Sequence, residues 1–87
     1  MTTEQFNEKY KEYLGENHYG LGFEHPQVTE MLDKEFEEFT KRPGFKYYQI
    51  KLKFGMARFY ADAITTDEMY RVEGQIDDLI RESPYTK

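Results

Sequence analysis

No cysteine occurs anywhere in this 87-residue chain, and that absence governs what can hold it together. A domain of this length buries only about two-thirds of the surface its unfolded chain exposes, so small domains commonly lean on disulfides or metals. Without a thiol there is no disulfide framework, no Cys-ligated zinc, no iron–sulfur cluster and no thiol nucleophile. Two histidines are too few for a histidine-rich metal site. Stability therefore rests on apolar packing, which the chain supplies as rings: eight Tyr, seven Phe and no Trp. The length suits one domain, 1–87.

Periodicity and caps predict an α+β domain in the order α-α-β-β-α. Phe6, Tyr10, Tyr13 and Leu14 recur at helical spacing after a Thr2 or Thr3 cap, which predicts a helix over 3–14 with Gly15 as its stop. Residues 15–25 read as a glycine-punctuated loop. Pro26 suits a first helical turn, and Val28, Met31, Leu32, Glu35, Phe36 and Phe39 continue a stripe over 26–41 until Arg42-Pro43-Gly44. An antiparallel hairpin over 46–63 follows, with Phe54-Gly55 between its strands. Strict alternation puts Tyr48, Ile50 and Leu52 inward and Tyr47, Gln49, Lys51 and Lys53 outward. On the second strand Ala57, Phe59 and Ala61 face in, while Arg58, Tyr60 and Asp62 face out. Phe54 is unusual in a two-residue turn, so a longer turn is compatible with the sequence. Thr65 and Glu68 form a capping box that opens a helix over 66–82, with Ser83-Pro84 closing it. Gly74, inside that helix, suggests close packing against the sheet.

Charge is unevenly spread around the formal net of −5. Residues 1–40 hold ten acids and three bases, while 44–61 hold Lys46, Lys51, Lys53 and Arg58 and no acid. That basic stretch also carries Phe45, Tyr47, Tyr48, Phe54, Phe59 and Tyr60. Overall acidity argues against non-specific DNA binding, because phosphate contacts dominate such affinity. The acids read as a solvated surface, with mimicry of a polyanion as the sharper alternative. The polar segment Thr2-Thr3-Glu4-Gln5 is unlike a signal peptide, and no apolar run nears the roughly 20 residues that span a bilayer. A soluble, cytoplasmic domain without membrane attachment is expected.

Catalytic constellations are missing from the pattern. The lone Ser83 lies beside Pro84, outside any nucleophile elbow. The carboxylates Glu35, Glu37, Glu38, Asp77 and Asp78 read as solvated helix faces, and His18 and His25 lack metal-ligand spacing. Gly20-Leu21-Gly22 has neither the third glycine nor the Lys-Ser/Thr of a phosphate loop and reads as a turn. No enzyme, metal or cofactor is expected. The informative patch is the outward hairpin face, where Tyr47, Gln49, Lys51, Lys53, Arg58 and Tyr60 join cations to flat rings. Such a set suits an acidic protein surface, a phosphate or a nucleotide; it also suits a soluble sheet edge that blocks strand addition.

The run from Gln49 to Tyr60, Gln-Ile-Lys-Leu-Lys-Phe-Gly-Met-Ala-Arg-Phe-Tyr, resembles the "QvKeKFGxLRFY" signature of a family of small bacteriophage and prophage proteins. A glycine-aromatic loop (Gly20-Leu21-Gly22-Phe23), a helix from Pro26, a helix from Thr65 and Ser83 fall in the family's order, so the resemblance covers about residues 19–83. Leu52 stands where the family has an acidic residue, and Met56-Ala57 replace a small residue and Leu. The family's further paired-Cys segment has no counterpart here. The resemblance implies a phage origin and, at the level of class, an accessory protein that blocks a host protein or defence complex by direct contact in the host cytoplasm. The alternative is a sponge that sequesters a host signalling nucleotide through the hairpin face, and a virion role is a third reading. Fifteen aromatics exceed what so small a core must bury, and a homodimer through Tyr13, Tyr19, Phe23 or Tyr70 fits that excess.

Overall fold

Helices form where a cap and an apolar stripe coincide, and the first stops where the sheet takes over the chain. The structure, a computed structural model, describes residues 1–82 and begins with α1, Thr3–Lys9. Thr2 caps it: its hydroxyl accepts from the Gln5 N–H at 3.0 Å, and the Gln5 side chain accepts from the Thr2 N–H at 2.8 Å. The helix ends before the expected residue 14. Tyr10 leaves helical geometry, a 3-10 turn spans Lys11–Tyr13, and the Gly15 N–H then donates to the Tyr47 carbonyl at 2.8 Å. Pairing with the sheet takes those residues from the helix.

The expected loop over 15–25 contains a strand. β1, Gly20–Leu21, runs parallel to β2, Lys46–Lys53, which pairs antiparallel with β3, Met56–Asp62. The sheet is therefore mixed, in the order β1-β2-β3. With α2, Pro26–Phe39, and α3, Thr66–Glu82, the chain reads α-β-α-β-β-α, not α-α-β-β-α. Gly20 is neither turn nor phosphate loop: at φ +75°, its missing Cβ would lie 2.6 Å from Asn7 Oδ1. Glycine is what lets that amide approach.

The helices share one side of the sheet. Val28, Leu32, Phe36 and Phe39 of α2 are buried as their spacing predicts, and they join Phe6, Tyr10, Ile50, Phe59, Val72 and Ile76 in one core. His25 is buried too, capping α2 by accepting from the Val28 N–H at 3.3 Å. Lys9 and Tyr10 both donate to the Asp33 carboxylate, tying α1 to α2. Burial pushes Asp33 up, yet these two hydrogen bonds outweigh it and hold the carboxyl below its ordinary value.

Alternation holds along β3 and breaks once in β2. A register shift between Tyr47 and Gln49 makes Tyr48 an extra residue, as a β-bulge does. Tyr47 and Ile50 are consequently both fully buried although three residues apart. Tyr47, expected outward, belongs to the core, and Tyr48, expected inward, contacts His18 and Asp62. Leu52, also expected inward, is 40% exposed one pair from the turn. Lys53 pairs with Met56, so the turn is only two residues long.

Both sheet edges are closed by helix side chains. On β1, Asn7 acts as a short strand: Leu21 N–H donates to its Oδ1 at 2.9 Å, and its Nδ2 donates to the Leu21 carbonyl at 3.0 Å. On β3, the N–H groups of Ala57 and Phe59 donate to Asp77 at 2.8 Å and Glu73 at 2.9 Å. These acids, four apart, share one face of α3. Asp77 is thus half-buried and bonded to backbone instead of solvated, and Glu35 is held by Arg71 at 2.9 and 3.1 Å. Gly74 does not mark close packing, since a Cβ there would meet nothing within 4 Å. The Ser83-Pro84 stop lies outside the described residues.

A capping box opens α3 as expected: the Glu68 N–H donates to Thr65 Oγ1 at 3.1 Å, and the Thr65 N–H donates to Glu68 Oε1 at 2.8 Å. Arg42, just beyond α2, grips the same carboxylate with both terminal nitrogens, at 2.8 and 2.5 Å. The Arg42 hydrogen bond is the main cause that lowers the Glu68 pKa to about 2. A depressed carboxyl stabilises the fold above its unfolded pKa. Stability is therefore expected to fall as pH drops from about 5 towards 2, and an Arg42→Gln variant should flatten that slope in urea titrations across the range. Gly74→Ala should raise unfolding free energy by about 1 kcal/mol, because the exposed helical site has room for a methyl.

Candidate functional site

The sheet face turned away from the helices is where the expected binding residues meet. Ile50 and Phe59 pair across the ladder and face the core, so their neighbours face out. From the turn inward, the outward pairs are Lys53 with Met56, Lys51 with Arg58, and Gln49 with Tyr60. Opposed side chains in such pairs have Cβ atoms about 4.5–5.5 Å apart. Beyond them the Tyr48 hydroxyl donates to Asp62, the hydrogen bond that most raises its pKa, and His18 packs edge-on against the Tyr48 ring at 4.9 Å.

Five of the expected residues therefore share one face: Gln49, Lys51, Lys53, Arg58 and Tyr60. Tyr47 does not. It is fully buried against Phe6 and Phe36, and burial pushes its phenol up to about 12. Alternation applied through the bulge misplaced it, and no local signal in the sequence marks the bulge. Tyr48, Met56 and Phe54 are the additional residues on or beside the face, and an aromatic in a hairpin turn was the signal for Phe54.

The electrostatics of this face differ from those of the helical side. Lys9, Lys11, Lys41, Arg42, Arg71 and Arg81 each lie within 4.0 Å of a carboxylate. Among the described residues, Lys46, Lys51, Lys53 and Arg58 show no such partner, and on the helical side Lys34 alone shares that lack, although the chain has acids in excess. The Arg58 guanidinium donates only to the Ala57 carbonyl, at 3.1 Å, and Lys53 lies 5.8 Å from the Phe54 ring. Lys51 directly opposes Arg58, a like-charge pair that costs stability in a sheet.

The concavities described among residues 1–82 lie elsewhere. A groove of about 590 Å³ runs between α2 and α3, floored by Met31 and Leu79 and edged by Glu30, Lys34, Gln75 and Asp78. The sheet face offers charge and flat rings on an open surface. The expected acidic surface is partly neutralised: Glu30 lies 3.5 Å from the N-terminal ammonium and Glu38 3.4 Å from Lys41. Among the described residues no group of three potential metal ligands forms, and no helix is long and apolar enough to cross a membrane. Comparison with protein-family models, curated proteins and solved structures finds no match.

The two tyrosines expected to act alike should separate in denaturant titrations. Tyr47→Ala removes a fully buried ring and should cost about 3–5 kcal/mol. Tyr60→Ala, at 48% exposure, should change stability by no more than about 0.5 kcal/mol.

Proposed function

We propose that this is a binding protein whose open sheet face docks on an acidic protein surface. One observation carries this reading: Lys51 opposes Arg58 with no carboxylate on either, in a chain where acids outnumber bases. The fold gains nothing from that pair, and an anionic partner turns its repulsion into attraction. Gln49 and Tyr60 beside it supply hydrogen bonding and a half-exposed ring, the composition favoured in interfaces. The resemblance to phage proteins supports the finer form of the reading, an accessory protein that blocks a host factor or defence complex. The nucleotide-sponge reading keeps the cations but loses the Tyr47 ring, leaving Tyr60 to stack.

Capture from bacterial lysate, run side by side with three chains, tests the proposal. The wild type and a Glu30→Lys/Glu37→Lys/Glu38→Lys chain should retain one identified protein. Lys51→Glu/Arg58→Glu should lose it by at least tenfold while still unfolding in one cooperative transition, and retention should weaken as salt rises. Loss in the helix variant alone would place the site on the acids. A rise in melting temperature with a linear or cyclic nucleotide, absent from the hairpin variant, would support the sponge instead.

A further inference from the structure

The turn of the hairpin breaks a local rule. Phe54 and Gly55 both have positive φ, +54° and +75°, as a two-residue hairpin turn requires. Glycine adopts that geometry freely, and asparagine is the usual companion at the first position. A bulky aromatic there is a backbone outlier that costs stability. Nothing in the core repays it: the ring is 91% exposed, the most exposed large apolar side chain among the described residues. Its described contact is the Lys53 ammonium 5.8 Å from its centre. Half-exposed Leu52 and Met56 flank it, at 40% and 51%.

We infer that Phe54 is the anchor of the binding face, a ring held out on a two-residue turn to enter an apolar pocket rimmed by carboxylates on a partner protein. The inference rests on the reading above and names the partner's chemistry. An exposed aromatic enters a pocket at little entropic cost when its backbone is already fixed. Lys53, Lys51 and Arg58, which follow the tip without carboxylates of their own, match an acidic rim. Strand addition is not the mode, because Asn7 and the pair Glu73 and Asp77 occupy the edges. An anionic bilayer is disfavoured by the net −5 of the chain, which repels such a surface beyond the hairpin.

The variant Phe54→Asn separates stability from binding. Relief of the turn should raise the melting temperature by about 4–8 °C. In the same chain, retention of the partner should fall at least tenfold. A second chain, with p-benzoylphenylalanine replacing Phe54, should cross-link on irradiation in bacterial lysate to one peptide, and that peptide should line an apolar pocket edged by Asp or Glu. A lower melting temperature for Phe54→Asn would make the ring structural and overturn the inference. So would cross-links scattered over many proteins or none, or a peptide from a basic site. Co-sedimentation with phosphatidylglycerol–phosphatidylethanolamine vesicles that Phe54→Asn abolishes would assign the tip to a bilayer and overturn it as well. If a partner is lost by Lys51→Glu/Arg58→Glu but held equally by Phe54→Asn, the anchor fails while the binding face stands.

Discussion

Phe36 is the ring around which this protein closes. Its centroid lies 5.0 Å from Phe6 and Tyr47, 5.1 Å from Tyr10, 5.3 Å from Phe45, and 6.1 Å from Phe39 and Phe59. Those partners come from α1 and the cap after it, from α2 itself, and from both long strands and the residue before β2, so one side chain ties α1 and α2 to the hairpin. Most of the rings meet it edge-on or tilted, the arrangement their quadrupoles favour. In a domain with neither disulfide nor metal-binding cysteine, this interlocking is what replaces a covalent staple. It also dictates the bulge. Tyr47 has to turn inward to reach Phe36, and the extra residue Tyr48 absorbs the change of register.

Once the rings fix the sheet against the helices, polar side chains finish its boundaries. Arg42 and Glu68 lock the end of α2 to the start of α3, and α3 then runs along β3 with Glu73 and Asp77 within reach of its amides. A three-stranded sheet would otherwise leave two edges open to other chains. Helical cover on one face and capped edges leave the outward side of the hairpin as the open face of the sheet. Lys51, Lys53 and Arg58, which have no carboxylate partner among the described residues, lie there.

Local signals carried most of the helices. The Thr65–Glu68 box, Pro26 and the Val28–Phe39 stripe are short-range patterns, and the elements they announce exist at nearly the stated bounds. What escaped was set by distant partners. β1 is two residues long with a glycine in it, too short for periodicity to register, and it is a strand only because β2 lies beside it. The bulge has the same origin: nothing near Tyr48 in sequence records that Phe36 draws Tyr47 inward. For the candidate site the consequence was one wrong residue out of a set that otherwise shares a face, because Gln49 to Lys53 lie on the far side of the bulge, where alternation resumes.

The capped edges bear on how such a surface evolves. Recognition through a strand edge depends on backbone groups that every sequence possesses, so it tolerates substitution on both partners. A sheet whose edges are closed from within has only its side chains to offer. Each exchange on the outward face then changes what is recognised, while the core rings and the edge-capping acids stay untouched beneath it. If the outward face binds as proposed, specificity can drift without endangering the scaffold, since that face and the core rings sit on opposite sides of one sheet.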